Sequence, residues 1–384
     1  MINSELKKKL ILNAKNLIGW RTKRNIIVFS IDDYGSVRLD SKEARENLDN
    51  SQIGVKSPFA GFDLYDSLET KEDLELLFDT LTSVKDKNGK NVVFSPFAVP
   101  CNPNFEKIKE AGFQQYIYEL LPQTYDKLST YQPEAYEGTW QLWKEGIDNE
   151  LLIPQFHGRE HFNLKVFAEK LEEKESELIT ILKNRSVARA SSDAYETISM
   201  SDAFGFWDFK ENEILKGIVE DGLNAFKKVF GYRASHFMAP GGWEHPVLHK
   251  TLKKCGIKYI DTPMIKREHQ GKGKYKMKFN YTGKRNKHGQ IYLVRNVVFE
   301  PTQKRNVDWV DYAMQQIEAA FRWNRPAIIS SHRVNFCGHI DPENRAKGIG
   351  ALKELLQRIV QRWPEVEFMA ANELGDLIAS DLEQ

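Results

Sequence analysis

The stretch Ile26-Ile-Val-Phe-Ser-Ile-Asp-Asp33 decides the fold of this chain. Its first six residues are mostly apolar and rich in β-branched side chains, a pattern typical of a strand that helices cover on both faces of a parallel sheet. The run ends in two adjacent carboxylates, Asp32 and Asp33, which are costly at a strand end unless water or a partner satisfies them. In barrel-like α/β folds, the carboxyl ends of the strands form the rim where catalytic groups collect. We therefore expect both aspartates at such a rim.

Apolar runs of strand length alternate with helix-period segments along nearly the whole chain, which predicts an α/β fold with mostly parallel strands. No repeat or linker rich in Pro, Gly and Ser interrupts this alternation, so we expect a single domain over residues 1–384. The predicted strands are Ile26–Ile31, Val92–Val99, Leu151–Phe156, Ala234–Ala239, Lys258–Asp261, Ile291–Phe299, Ala327–Ser331 and Glu367–Met369. The predicted helices include Lys71–Lys85, Leu164–Lys183, Glu211–Phe230, His245–Cys255, Trp309–Trp323 and Pro342–Trp363.

Two segments depart from this alternation. Residues 113–148 form a helical insertion rich in aromatic side chains, which could offer flat surfaces to sugar rings, although we expect most of them to form a satellite core. The stretch Lys266–Lys287 is strongly basic and is expected to form a small exposed β excursion or loop. Its charge could contact an anionic substrate, but a solvated loop is the favoured interpretation.

The overall composition is that of an ordinary soluble globular protein, with 41% hydrophobic and 28% charged residues. Lysine and arginine number 55 against 54 acidic residues, so no global positive field points to nucleic acid, and we expect no nucleic-acid partner. The three cysteines, Cys101, Cys255 and Cys337, are widely spaced and show no metal or disulfide pattern. No signal peptide or membrane-spanning segment is recognisable, so we expect a cytoplasmic protein.

The N-terminal residues 1–22 are expected to form an amphipathic helix. Lysines occupy much of its remaining surface, so the helix could rest on an anionic membrane at the inner face, as a peripheral contact. Packing against the barrel body is the favoured alternative, because amphipathic helices are common in soluble folds. The apolar face of the helix carries Leu6, Leu10, Ala14, Leu17 and Ile18.

Two histidines, His157 and His161, lie one helical turn apart and directly follow the apolar run Leu151–Phe156. Together with Asp33 they would supply three ligands to a divalent cation such as Zn²⁺, which leaves one position open for water. Asp32, beside that site, would take the proton of the water. Two histidines at this spacing also arise when they merely share the face of an ordinary helix, and the pattern alone leaves that alternative open.

The segments Ser-Ile-Asp-Asp-Tyr-Gly (Ser30–Gly35) and His157-Gly-Arg-Glu-His161 resemble the first two motifs of the polysaccharide deacetylases of carbohydrate esterase family 4. The resemblance implies a distorted (β/α) barrel of about seven parallel strands, with Asp32 as catalytic base and Asp33, His157 and His161 as metal ligands. Tyr34 is an extra residue before the glycine of the first motif and is placed in the substrate-contacting or orienting set. Gly158 replaces the hydroxyl residue that usually steadies the second motif.

The segment Phe237-Met-Ala-Pro-Gly-Gly-Trp243 resembles the third motif, but Met238 stands where the family has an arginine that orients the catalytic base. The resemblance then requires another cation for Asp32, and Arg159 and Arg233 are the candidates. The glycines allow close backbone approach, which would suit an N–H donor to an oxyanion, although a tight strand-to-helix turn explains them equally well. The residues expected to contact or orient substrate here are Pro240, Gly241, Gly242 and Trp243.

Asp308-Trp309 resembles the fourth motif, whose aspartate tunes the catalytic histidine and whose tryptophan walls the pocket. Glu300 is a competing carboxylate for that role, and an aspartate at a helix start also serves as an N-cap. Ile328-Ile-Ser-Ser-His332 resembles the fifth motif, which implies that His332 is the general acid. Imidazolium suits this role because its pKa lies close to neutrality. Two neighbouring residues that could contact substrate are Arg333 and Asn335.

These motifs lead us to expect a metal-dependent hydrolase that removes an N- or O-linked acetyl group from a sugar of a glycan or glycan precursor. One divalent ion is expected, Zn²⁺ first, with Co²⁺, Mn²⁺ or Ni²⁺ as alternatives. An alternative enzyme on the same barrel would hydrolyse cyclic amides, imides or ureides, with or without a metal. A second alternative is a catalytically inactive glycan-binding protein, which the missing arginine of the third motif and the aromatic insertion favour.

Overall fold

The computed structural model describes residues 10–53, 64–187, 190, 198–303 and 305–383. Within them, nine strands form one parallel sheet, whose path is β10-β7-β6-β5-β2-β1-β12-β11, and β13 pairs with the start of β1. Two antiparallel pairs, β3 with β4 and β8 with β9, lie outside this sheet. The strands are β1 (Ile26–Tyr34), β2 (Phe94–Ala98), β3 (Cys101–Pro103), β4 (Tyr118–Leu120), β5 (Gln155–Phe156), β6 (His236–Phe237), β7 (Tyr259–Asp261), β8 (Ile265–His269), β9 (Tyr275–Phe279), β10 (Ile291–Leu293), β11 (Val297–Val298), β12 (Ala327–His332) and β13 (Glu367–Phe368).

Helices connect most of these strands, as expected for parallel neighbours, which need a crossover. Short 3₁₀ turns occur at Phe209–Glu211, Pro240–Gly242, Pro246–Leu248 and Arg333–Phe336. The α-helices are α1 (Lys42–Asn50), α2 (Lys71–Thr82), α3 (Phe105–Glu110), α4 (Leu121–Tyr131), α5 (Pro133–Tyr136), α6 (Thr139–Asp148), α7 (Leu164–Glu172), α8 (Ser176–Lys183), α9 (Asn212–Phe230), α10 (His249–Lys254), α11 (Trp309–Arg322), α12 (Pro342–Arg362) and α13 (Ala371–Asp381).

The sheet curls into a barrel because its two edge strands are neighbours in the chain. β10 ends at Leu293 and β11 begins at Val297, so three residues join opposite ends of the strand path. Four residue steps span at most about 14 Å. Eight strands laid flat would hold their edges about 34 Å apart. The edges must therefore nearly meet, and residues 294–296 form the seam of a distorted (β/α) barrel, which confirms the expected fold class.

Three details of the predicted elements were wrong. The sheet has nine strands rather than about seven, since each of the eight predicted runs contributes and one of them contributes two strands. The predicted strand Ile291–Phe299 is in fact two strands at opposite edges of the sheet. The predicted helix Leu164–Lys183 is two helices, because the chain turns at Lys174, which has a φ of 54°.

Residues of β1 alternate between the barrel interior and the surrounding helices. Ile26 and Val28 belong to an inner apolar cluster with Phe97 and Ile328, whereas Ile27 packs in the larger core beneath the helices. Side chains of α13 and Trp20 also belong to the inner cluster. The interior is therefore apolar near the strand starts, and the inward series of β1 continues upward to Ser30 and Asp32 at the rim.

The N-terminal segment packs across the seam. Residues 10–14 are helical, while residues 1–9 of the expected helix lie outside the described part of the chain. Asn296 in the seam donates a side-chain hydrogen bond to Asn16 Oδ1 at 2.8 Å, and Trp20 N donates to the Thr282 carbonyl at 2.7 Å. Arg325 donates to the carbonyls of residues 16, 17 and 19. Packing on the barrel body is thus observed, and membrane contact through this segment stays a prediction.

The aromatic insertion contributes mainly to the core. Tyr125, Tyr136 and Trp143 are buried in the large cluster, and Tyr131 is exposed. The Trp143 indole and the Tyr125 hydroxyl both donate to Glu69. The core interpretation therefore holds for these three buried rings. Among the described residues, no helix combines the length and apolarity that a bilayer crossing requires.

Candidate active site

Two consecutive aspartates reach the same rim because β1 is irregular at Asp33. In a regular strand, neighbouring side chains point to opposite faces. Asp33 has a φ of 76°, and the pairing register between β1 and β2 shifts at this point. Aspartate tolerates this left-handed conformation better than most residues do. Asp32 and Asp33 consequently face one site, while Tyr34 returns to the core, where its ring packs edge-on against Trp143 at 5.7 Å. Tyr34 is buried there, and the expected substrate contact is not seen.

Asp33, His157 and His161 form a compact group whose candidate ligand atoms all lie within 4.8 Å of one another. Asp33 Oδ1 lies 2.8 Å from His161 Nε2 and 3.4 Å from His157 Nε2. The His157 Nδ1–H donates to the carbonyl of Met238 at 2.8 Å, which leaves Nε2 with a lone pair. This buried nitrogen has no hydrogen-bond partner among the described residues.

A cation fits this arrangement. A lone pair on His157 Nε2 facing a carboxylate oxygen places two acceptors opposite each other, which is unfavourable unless a positive charge lies between them. Two imidazoles and one carboxylate are the donor set of a three-ligand Zn²⁺ site. The carbonyl of Met238 fixes the ring of His157 from behind, as supporting hydrogen bonds commonly do for metal-binding histidines.

The protonation states also suit metal binding. Burial pushes the pKa of Asp33 upward, but the neighbouring His161, together with His332, outweighs it and holds that pKa well below its usual range. Burial lowers the pKa of His161, and the nearby Arg38, whose Nη1 lies 3.4 Å from His161 Nδ1, acts in the same direction. An ionised carboxylate and a neutral imidazole are the forms that bind a cation.

Asp32 is held by an arginine from the seam of the barrel. Arg295 donates from Nη1 to Asp32 Oδ2 at 2.6 Å and from Nη2 to Asp32 Oδ1 at 2.8 Å. Its Nε donates to Asp261 Oδ2 at 2.6 Å, and Asp261 in turn accepts from His236 Nε2 at 2.8 Å. The guanidinium lies over the ring of Phe97, 5.0 Å from its centroid. A buried bidentate pair of this kind holds a carboxylate in one orientation.

The two arginines expected to orient Asp32 lie elsewhere. Arg159 donates to Glu160 through two nitrogens and to Asp221, each at 2.7 Å. Arg233 is exposed. Neither contacts Asp32 in the described structure, and Arg295 takes the place of the arginine that Met238 lacks.

His332 stands on the other side of Asp32, with Nε2 4.0 Å from Asp32 Oδ2. Its Nδ1–H donates to Glu300 Oε1 at 2.6 Å. Burial lowers the pKa of His332, but Glu300, Asp33 and Asp32 outweigh it and raise that pKa to about 10. Because the side chain keeps 31% of its surface exposed, a substrate can approach the imidazole.

Glu300, rather than Asp308, orients the candidate acid. Its second oxygen accepts from Asn335 Nδ2 at 2.8 Å, which fixes the carboxylate. Asp308 instead caps α11 by accepting from the Asp311 backbone N–H at 2.9 Å. Trp309 is buried in the large core cluster. The assignment of Asp308 and Trp309 to the site is therefore wrong, because Asp308 caps α11 and Trp309 packs in the core.

The segment after β6 forms a tight turn. Pro240–Gly242 is a single 3₁₀ turn in which Gly241 and Gly242 have φ values of 64° and 71°. A side chain at Gly241 would strike the indole of Trp243. These contacts support the turn interpretation, while an oxyanion role for the backbone stays a prediction. Gly158 has a φ of 133°, which explains why this chain carries glycine there.

Arg333 and Asn335 do not face substrate. Arg333 is fully buried and donates to Asp66 Oδ1 from two nitrogens, at 2.8 and 3.1 Å, and to Glu69 Oε2 at 3.0 Å. Asn335 is likewise buried and serves Glu300 and the backbone of His332. Both residues support the site from behind, which corrects the expectation of direct contact.

Arg295 and Asp261 are the site residues that sequence reasoning missed. Arg295 is the one charged residue inside the apolar run Ile291–Phe299, and charges are rarely buried without a partner. Asp261 ends a predicted strand, as Asp32 does. Both features were present in the sequence. Each predicted a buried charge that needs a partner, but neither identified which residue that partner is.

No family model matches this sequence, and no curated protein sequence matches it. Among solved structures, the chain is similar to a provisionally assigned polysaccharide deacetylase from Mycobacterium smegmatis, at 10% identity and a TM-score of 0.47, over 95% of this chain and 93% of that one. A second provisionally assigned polysaccharide deacetylase, from Pseudomonas aeruginosa PAO1, gives 10% identity and a TM-score of 0.44 over 93% and 91%. A 4-alpha-glucanotransferase from Thermococcus litoralis gives 11% and 0.44, over 91% of this chain and 40% of that one.

Proposed function

We propose that this protein is a metal-dependent hydrolase that removes an acetyl group, N- or O-linked, from a sugar of a glycan or glycan precursor. The observation that carries the proposal is the position of Asp32 and His332, 4.0 Å apart at the rim and beside the three candidate ligands. Each of the two has its own charged partner, Arg295 and Glu300. A base and an acid that are held separately beside a cation site suit hydrolysis of an acyl bond. The ordered resemblance of the motifs to sugar deacetylases supports the choice of substrate.

A divalent cation bound by Asp33, His157 and His161, with Zn²⁺ the first candidate and Co²⁺, Mn²⁺ or Ni²⁺ the others, would polarise an acyl carbonyl and acidify a water molecule. The proposal uses Asp32 to accept one proton from the water whose oxygen attacks the acetyl carbonyl carbon. The bidentate contact with Arg295 holds Asp32 in a fixed orientation for this step.

His332 acts when the acyl bond breaks. It donates the proton on Nε2 to the departing sugar nitrogen or oxygen, so the products are acetate and a free amine or hydroxyl. Glu300 supports this step because it keeps His332 protonated and turns Nε2 toward Asp32. Proton exchange with solvent then restores the charges of both groups.

The test is acetate release by the purified full chain, loaded with Zn²⁺, from N-acetylglucosamine oligomers and from an O-acetylated sugar. Asp32→Asn and His332→Ala should each lower turnover by about 10²- to 10⁴-fold. Asp308→Asn is the matched control, since it changes an aspartate outside the site. Hydrolysis of a cyclic ureide without acetate release would favour the alternative enzyme, and sugar binding without turnover would favour the binding protein.

A further inference from the structure

The hairpin of β8 and β9 turns its apolar side chains outward. Ile265, Met277 and Phe279 are 64%, 60% and 47% exposed. The pairing of Ile265 with Phe279 places those two side chains on one face. The opposite face carries Lys266 and Glu268, which are buried. Antiparallel hairpins normally show the reverse, with apolar residues inward and polar residues outward. An exposed apolar cluster of this kind marks a contact surface.

The inward charges have their own explanation. Lys266 forms an ion pair with the fully buried Glu244, which also lies 3.4 Å from His249 Nε2. The hairpin is therefore fixed to the barrel through its polar face. Its register cannot slip by one residue without burying the apolar side chains and breaking this pair.

The same segment concentrates positive charge. Residues 264–290 contain nine lysines and arginines and a single acidic residue, Glu268, whereas the whole chain has a formal charge of +1. Lys272 and Lys274 are exposed in the turn between β8 and β9, and Arg267, which pairs with Met277, is exposed on the apolar face. Apolar and cationic side chains thus share one exposed surface.

The N-terminal segment extends this surface. Ile18 is exposed, and it lines the same crevice as Met264 and Tyr281, which flank the hairpin in sequence. The hydrogen bond from Trp20 N to the Thr282 carbonyl fixes the two segments together. We define the hairpin surface as the exposed side chains Ile18, Ile265, Arg267, Lys272, Lys274, Met277 and Phe279.

We propose that the hairpin surface docks the protein on an anionic lipid bilayer. Apolar side chains enter the boundary between headgroups and acyl chains, while lysines and arginines meet anionic headgroups. A soluble polyanion would use the cations but not the exposed Ile265, Met277 and Phe279. A second copy of the chain would bring like charges together, which opposes association.

Vesicle flotation of the full chain tests this proposal, with phosphatidylcholine vesicles and with vesicles that also contain phosphatidylglycerol. The protein should float with the anionic vesicles only, and less so at high salt, because salt screens the lysines. Ile265→Ser/Met277→Ser/Phe279→Ser keeps every charge and should weaken partitioning by about tenfold or more. Lys272→Glu/Lys274→Glu should weaken it as well. Ile214→Ser on α9, where Ile214 is 68% exposed, is the matched control and should float like the wild type.

Two results would overturn the proposal. One is a wild type that does not float with anionic vesicles. The other is a serine triple variant that floats as well as the wild type. Light scattering tests whether a second copy of the chain binds this surface instead. A wild type that is dimeric and does not float, together with a triple variant that is monomeric, would show that the surface is a dimer interface. Circular dichroism checks that the variants are folded, and the salt dependence of the wild type needs no variant at all.

Discussion

Arg295 binds both carboxylate oxygens of Asp32 from the three-residue seam that joins the two edges of the barrel. The motif in which an arginine was expected carries Met238, which directly follows β6 at another place in the sheet. Asp32 is buried, and a buried carboxylate without a partner is strongly unfavourable. The seam therefore supplies the charge that the third motif lacks.

Arg295→Met should damage both catalysis and stability. It leaves Asp32 and Asp261 buried without their cation, so we expect the free energy of unfolding to fall by about 3–5 kcal/mol and kcat to fall by about 10²-fold or more. Arg295→Lys keeps the charge but cannot form hydrogen bonds to both aspartates in the same geometry, so its kcat should lie between those of the wild type and Arg295→Met. Urea unfolding and steady-state kinetics measure the two effects. Wild-type kcat in Arg295→Met would contradict the positioning role.

Met238→Arg should partly rescue Arg295→Met. Met238 packs against the inner cluster that contains Phe97, and Phe97 is also the ring beneath Arg295. An arginine at position 238 would therefore extend from the position at which the third deacetylase motif carries its arginine. In the wild-type background the same change brings two guanidinium groups together and should destabilise the fold. The comparison of kcat in the two backgrounds separates a local charge effect from general damage.

Glu300→Gln should lower the pKa of His332. The folded pKa of about 10 exceeds the ordinary 6.5, so protonated His332 contributes stability that is fully present below about 6.5 and is lost as pH rises through about 10. Glutamine keeps the shape of Glu300 but removes its charge. The alkaline limb of the kcat/KM profile should therefore move to lower pH. The stability difference between wild type and variant should shrink across the same range.

Asp308→Asn is the control for that experiment. Asp308 caps α11 and asparagine is also a good N-cap, so stability and the pH profile should stay close to those of the wild type. A shifted alkaline limb in Asp308→Asn, with none in Glu300→Gln, would restore the original assignment of the fourth motif.

Metal content should separate the ligands from the base. His157→Ala should lose both bound metal and activity, because it removes a nitrogen that has no other partner among the described residues. Asp32→Asn should keep the metal and lose turnover. Asp33→Asn should lose metal without added backbone strain, since asparagine also tolerates a φ of 76°. Elemental analysis of the purified proteins decides, and equal metal content in all of them would refute the ligand set.

Arg333→Met should destabilise the protein without any direct contact with substrate. The change removes the guanidinium that pairs with Asp66 and Glu69, both buried, so we expect a loss of about 3–5 kcal/mol in the free energy of unfolding. Arg358→Met is the matched control: the ion pairs of Arg358 in the described structure are exposed, so this change should alter stability by less than about 1 kcal/mol. An unchanged unfolding curve for Arg333→Met would show that the buried pairs contribute little.

The sequence predicted the parts of the site that directly follow apolar runs. Asp32, His157 and His332 all lie at the ends of such runs, and parallel strands bring their carboxyl ends to one rim. The run Ile291–Phe299 misled the prediction because nine residues of strand composition do not reveal that ring closure interrupts them. That interruption depends on strands far away in sequence, which local patterns do not encode.

Asp308 misled the prediction of the site for a different reason. An aspartate before a tryptophan at a helix start satisfies the capping pattern and the family motif equally, and only the folded chain shows which one applies. Glu300 sits beyond a strand end, where the same reasoning that selected Asp32 would have placed it at the rim. Position relative to the strand ends was a better guide than similarity to a short motif.

The position of Arg295 in the seam has a consequence for the stage of folding at which the site is complete. Arg295 lies within the closing joint itself, so an open ring, with β10 and β11 apart, holds Asp32 without its guanidinium. Under the proposed function, an incompletely folded chain therefore lacks an oriented base, even if the three candidate ligands are already close together. Under the same proposal, hydrolysis would begin only when β10 and β11 have completed the ring.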